Sequence, residues 1–133
     1  MKKISFFLLV FFLIIGCNDV EVKDDAVRLG VSFSFNQKHR CTEISPAIHI
    51  TGVPAGTVKF RVKLVDLDIT SYNHGGGTVQ NDGSGIIEEG ALKSGYTGPC
   101  PPSGSHRYKF IVYSLDENND AIGVGESIRR FPY

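Results

Sequence analysis

Residues 95–116 read GYTGPCPPSGSHRYKFIVYSLD. The first half is a stiffened loop, in which Gly95, Gly98 and Gly104 bracket Pro99, Pro101 and Pro102. Glycine lets a backbone approach a neighbour closely, and proline removes conformational freedom from the loop. The second half, residues 107–115, is rich in β-branched and aromatic side chains and predicts a strand. His106 and Tyr108 stand where loop hands over to strand, so the loop would hold an imidazole and a phenol still.

Two further blocks belong with this one. Asp66-Leu67-Asp68 ends the cleanest strand pattern in the chain and is followed by His74. Residues 45–57 read SPAIHITGVPAGT. Together the three blocks resemble the signature of the phosphatidylethanolamine-binding protein family, which includes the bacterial Raf kinase inhibitor-like proteins. Its last block has the form GY-x-GP-x-PP-x-G-x-HRY-x-F-x-VY-x-LD, and nearly every fixed position is present. The resemblance implies an all-β antiparallel sandwich with little helix. It also implies a small-anion pocket drawn from Asp66, Asp68, His74, Gly98, Pro99, His106 and Tyr108. The chain departs from the family at Leu67 and Thr70, where prolines are usual, and at Gly75, where an aromatic is common. Tyr72 is the residue expected to supply that aromatic wall.

The chemistry of these residue types suits an oxyanion such as phosphate or a phospholipid headgroup. Imidazolium and phenol donate hydrogen bonds, and backbone N–H groups of a glycine-rich loop add more. A carboxylate beside an imidazole favours its charged form. Asp66 is therefore expected to tune a histidine rather than touch the anion, and binding is expected to strengthen at mildly acid pH. The same side chains suit other uses. Two His and two Asp could ligate zinc, Asp with His could act as a general-base pair, or all could be structural. No convincing nucleophile stands beside them, since Ser103 and Ser105 read as loop residues. The expectation is a binding protein that is not an enzyme and carries no cofactor and no metal. The alternative is an inhibitor or interaction protein acting on a hydrolase or kinase through a protein partner, with a hydrolase third.

Residues 1–17 have a leader's pattern. Lys2 and Lys3 precede a run from Ile4 to Ile15 that is apolar except for Ser5, and it ends Ile14-Ile15-Gly16-Cys17. The run is short for a membrane span and has the form of a secretory signal. Its end resembles a bacterial lipoprotein cleavage box, which makes Cys17 the expected lipidation site. The organisation expected is a signal peptide over 1–17, a polar tether over 18–25 and a domain over 26–133. The location expected is the bacterial cell envelope, lipid-anchored, facing the periplasm or exterior. Cys41 and Cys100 then remain, and in an oxidising compartment they are expected to pair.

The 133 residues hold 14 basic and 14 acidic side chains. That balance argues against a nucleic-acid partner, which would want a basic excess. Period-two alternation predicts one strand over 26–35, a short strand at Ile48 and Ile50 with His49 outward, and a long strand through Phe60, Val62 and Leu64. His39 is expected in a polar loop outside the pocket. Thr78 to Gln80 and Ile86-Ile87 are read as short strands forming a hairpin across the glycine-rich turn.

Overall fold

The computed structural model describes residues 20–132. Cys17 and the rest of the leader lie outside the described residues. Among the described residues eight strands form two sheets: β1 (Val22–Arg28), β2 (Gly30–Phe33), β3 (Ile48–Thr51), β4 (Lys59–Asp66), β5 (Asn73–Gln80), β6 (Ile86–Ile87), β7 (His106–Leu115) and β8 (Ala121–Phe131). The larger sheet has the order β1-β8-β7-β4-β5 and the smaller β2-β3-β6. Every pairing is antiparallel except β1 with β8. One three-residue 3₁₀ turn, Gln37–His39, interrupts the loop after β2.

The alternation in β4 sets the layers. Phe60, Val62, Leu64 and Asp66 are buried while Arg61 and Lys63 are exposed. On β7 the matching inward residues are Tyr108, Phe110 and Val112, each fully buried. The smaller sheet covers them with Phe33, Ile48 and Ile50. Phe33 meets Phe110 edge to face at 4.8 Å between ring centroids, a geometry worth about 0.5–1.5 kcal/mol beyond its buried area.

Three strand expectations need correction. The strand read over 26–35 is two strands, because the chain leaves the larger sheet at Leu29 and enters the smaller at Gly30. Leu29 is buried at the crossing, with its N–H bonded to the Val124 carbonyl at 3.0 Å. Side-chain alternation continues through such a crossing, so periodicity alone does not mark it. β1 also begins at Val22, inside the stretch read as a tether. The third correction concerns 78–87. β5 pairs with β4 and β6 with β3, so the two belong to different sheets and form no hairpin. The turn between them is held locally, with Asp82 Oδ1 accepting from the Ser84 N–H at 2.9 Å and Asn81 Oδ1 from the Gly83 N–H at 3.0 Å.

β5 also contains the glycine run 75–77. Gly75 has φ +68°, and a Cβ there would lie 1.8 Å from the Gly95 carbonyl oxygen. The aromatic usual at this place is thus excluded by the close approach of residues 95–97 to β5. That approach is fixed by the Thr97 N–H, which donates to the His74 carbonyl at 2.9 Å.

Candidate functional site

Three neighbouring strands of the larger sheet bring the site together at one end. Asp66 closes β4, His74 lies near the start of β5, and His106 opens β7. Register places Asp66 beside Tyr108. Asp66 is 3% exposed, so its charge needs partners. Oδ1 accepts from the N–H groups of Asp68 at 2.8 Å and Ile69 at 2.9 Å. Oδ2 lies 2.8 Å from His106 Nδ1 and 3.9 Å from His74 Nε2. Burial by itself would raise the Asp66 pKa. The His106 hydrogen bond, then the Ile69 and Asp68 N–H groups, outweigh burial and hold it below the usual carboxylate value.

These contacts orient both imidazoles. An ionised carboxylate only accepts, so His106 donates Nδ1–H to Asp66, and its Nε2 is the nitrogen left for a ligand. A backbone carbonyl likewise only accepts. His74 therefore donates Nδ1–H to the Thr97 carbonyl at 2.8 Å and turns Nε2 toward Asp66. Tyr72 packs on His74 at 4.6 Å between centroids and is exposed.

Four expected members take other positions. Asp68 is at the rim, where it accepts from the Arg107 backbone N–H at 2.6 Å and from the Arg107 guanidinium at 2.9 and 3.3 Å. The Arg107 side chain and N–H hold the Asp68 pKa down to about 2. Tyr108 lies beneath the imidazoles, its ring 5.5 Å from His74 and 6.2 Å from His106. Its hydroxyl is fully buried and donates to no partner among the described residues, while the Cys100 backbone N–H acts to lower its pKa. Burial first, and then the Asp66 charge, push its pKa up. Gly98 and Pro99 are buried. The Gly98 N–H, expected as a ligand donor, is spent on the Thr42 carbonyl at 2.7 Å, and the Pro99 carbonyl accepts from the Cys41 N–H at 3.0 Å.

Those last two bonds flank the Cys41–Cys100 disulfide, which has the expected pairing. It ties the loop after β2 to the proline loop that supports His106. His39 lies on the same loop and is buried, its Nδ1 accepting from the Asn36 N–H and its Nε2–H directed at Glu89 at 3.2 Å. His49 is exposed on β3. Neither belongs to the cluster. The partners missed from sequence are Arg107, Thr97 and Glu89. Arg107 was signalled by its place inside the HRY triplet opposite an Asp-x-Asp strand end. Thr97 acts through its carbonyl, which has no side-chain signal.

The electrostatics decide what this arrangement can hold. Asp68 and Arg107 neutralise each other, and Asp66 carries one negative charge. With both imidazoles neutral the formal charge of the cluster is negative; with both protonated its sum is positive. No group of three or more His, Cys, Asp or Glu side chains that could hold a metal ion stands among the described residues.

Comparison with known proteins agrees with this architecture. The sequence model of the family described as "Phosphatidylethanolamine-binding protein" matches residues 73–131. A "UPF0098 protein" of Methanothermobacter thermautotrophicus is 60% identical over 37 residues, which cover 26% of this chain and 23% of that protein. A "UPF0098 protein" of Archaeoglobus fulgidus is 67% identical over 24 residues, 18% of this chain and 8% of that protein. The chain thus aligns with less than a quarter of the length of either curated relative. Among solved structures, a phosphatidylethanolamine-binding protein homologue from Chlamydia trachomatis superposes with TM-score 0.59 at 21% identity, covering 82% of this chain and 99% of that one. YbcL of Escherichia coli, described as a member of the mammalian family, superposes with TM-score 0.58 at 20% identity, covering 79% and 98%.

Proposed function

We propose that this chain, which carries the fold and the sequence signature of the phosphatidylethanolamine-binding protein family, is an envelope-anchored protein that binds a small oxyanion without turning it over. The ligand class is phosphate or the phosphorylated headgroup of a lipid. The observation that carries the reading is the Asp66–His106 hydrogen bond of 2.8 Å. It commits Nδ1 and leaves Nε2 of a nearly buried imidazole, 13% exposed at its side chain, to meet the ligand. Tyr108 supports the reading with a buried hydroxyl that lacks a partner, a group for which a ligand oxygen would be a natural acceptor. The hydroxyl of Ser105, next to His106, accepts from the Arg130 guanidinium at 3.1 Å.

Titration calorimetry with sulfate, phosphate and phosphoethanolamine tests the pocket. Saturable one-to-one binding lost in His106→Ala is expected; binding that survives that change places the anion elsewhere. Envelope anchoring through Cys17 is tested separately by fractionation of Cys17→Ser, which should be uncleaved or soluble. A mature, membrane-bound Cys17→Ser protein would end that part of the reading.

A further inference from the structure

Cys41 and Cys100 are both exposed, although Gly98 and Pro99 beside their bond are buried. Cys41 also holds φ +53°, in the left-handed region. Among the described residues the other non-glycine position there is Asn119, a type whose short polar side chain tolerates it. Cysteine has no such compensation, so the backbone at Cys41 is strained. Exposure and strain are the properties that make a disulfide prone to exchange with other thiols, whereas relaxed, sheltered bonds resist reduction.

What the bond closes gives exchange a consequence. Residues 39–42 clasp residues 98–100. The Gly98 N–H donates to the Thr42 carbonyl at 2.7 Å and the Cys41 N–H to the Pro99 carbonyl at 3.0 Å. A Cβ at Gly98 would collide with the His39 and Thr42 carbonyl oxygens, so the two segments meet without slack. Cys100 is joined to this clasp on one side, and its backbone N–H acts on the Tyr108 phenol on the other. His106 follows six residues later, at the end of the same loop.

We propose that Cys41–Cys100 is an exchange site for a dithiol protein, which reduces the bond in the folded domain, frees residues 98–104 and so weakens the oxyanion site. A thiolate of the partner attacks one sulfur of the bond, and the other sulfur leaves as a thiolate. The partner's second thiol, deprotonated, then attacks the mixed disulfide and expels the remaining sulfur. The partner gives two electrons and ends as a disulfide. Cys41 and Cys100 take up the two protons its thiols released and end as thiols. The effect on anion binding rests on the oxyanion reading; the exchange itself does not.

The test treats the purified protein with dithiothreitol, a small dithiol, in buffer without denaturant. Alkylation and peptide mapping should find Cys41 and Cys100 modified while the circular dichroism of the sheets is unchanged. Hydrogen exchange at the Gly98 and Cys41 amides should quicken about tenfold, the equivalent of one backbone hydrogen bond, while amides of β4 and β7 keep their rates. Sulfate affinity should fall by a similar factor, and reoxidation should restore both. Cys41→Ala with Cys100→Ala should match the reduced protein. Thiols that appear only in denaturant, or a reduction that unfolds the sheets, overturn the proposal by making the bond a structural staple. Unchanged Gly98 exchange after reduction overturns it as well. Failure of the oxyanion reading would show separately, as no sulfate binding by the oxidised protein, with the alkylation and exchange results still deciding the rest.

Discussion

His106 donates its Nδ1–H to Oδ2 of Asp66 at 2.8 Å, while His74 turns Nε2 toward that same oxygen at 3.9 Å. One carboxylate oxygen thus faces two imidazoles that arrive on different strands. Asp66 places its single negative charge against both rings.

His106→Ala should cost roughly 1.5–3 kcal/mol of anion affinity, the range for a charge-assisted hydrogen bond. Sulfate is the best probe, because its own charge is constant between pH 5.5 and 8.5. An anion at Nε2 favours the imidazolium, so the proton-linked affinity is fully present at low pH and fades as pH rises. Asp66→Asn removes the counter-charge and should move this profile toward more acid pH. An affinity that increases with pH would contradict the arrangement.

Acid should destabilise the fold through Asp66 and Asp68. Both folded-state pKa values are lowered, Asp68 to about 2. A lowered carboxylate contributes stability above its unfolded value, near 3.9, and loses it as pH falls through the folded value. Denaturant midpoints should fall between about pH 4 and 2, and less steeply in an Asp66→Asn, Asp68→Asn double variant compared with its own value at pH 7. Equal slopes in variant and parent would rule these two carboxylates out.

Reducing the Cys41–Cys100 bond should lower stability by up to about 4 kcal/mol, the chain-entropy value for a separation of 59 residues. The proline loop should also loosen, so anion affinity should drop with stability. Urea melts with and without reductant, alongside calorimetry, measure both. Unchanged affinity after reduction would mean that the hydrogen bonds of Gly98 and Pro99 are sufficient to hold the loop.

Gly75→Ala and Gly83→Ala separate backbone strain from steric conflict. Both positions have positive φ, but a Cβ at Gly83 meets nothing within 4 Å while one at Gly75 meets the Gly95 carbonyl. Gly83→Ala should cost about 1–2 kcal/mol, and Gly75→Ala distinctly more. Similar losses from chemical melts would show that residues 95–97 move aside easily.

Much of the site was legible because Asp66, His74 and His106 sit at strand ends, where sequence shows both the strand and its termination. The alternation of Phe60, Val62 and Leu64 fixed which way Asp66 faces, and the Pro-Gly loop before His106 marked a held position. The fold class followed from the same short alternating strands. What escaped were relations set by distant backbone. The turn at Leu29 preserves alternation while changing sheets. Gly75, Gly76 and Gly77 read as loop because nothing local reveals that Gly95 presses on the strand. Gly98 looked like a ligand donor, but its N–H was already committed to Thr42, on a loop more than fifty residues away.

β1 enters the molecule at the edge of the larger sheet and runs parallel to β8, so the two strands share one direction over Val22 to Arg28. A pull on the chain from its N terminus therefore acts along β1, across the line of the hydrogen bonds that join it to β8. The pairing is interrupted by a register shift between Val22 and Val27, and the bonds on each side of it are loaded in shear, where a hairpin pulled open at its end would give way one bond at a time. The edge pairing of β1 with β8 would therefore resist a pull from that end more than an unzipping hairpin would.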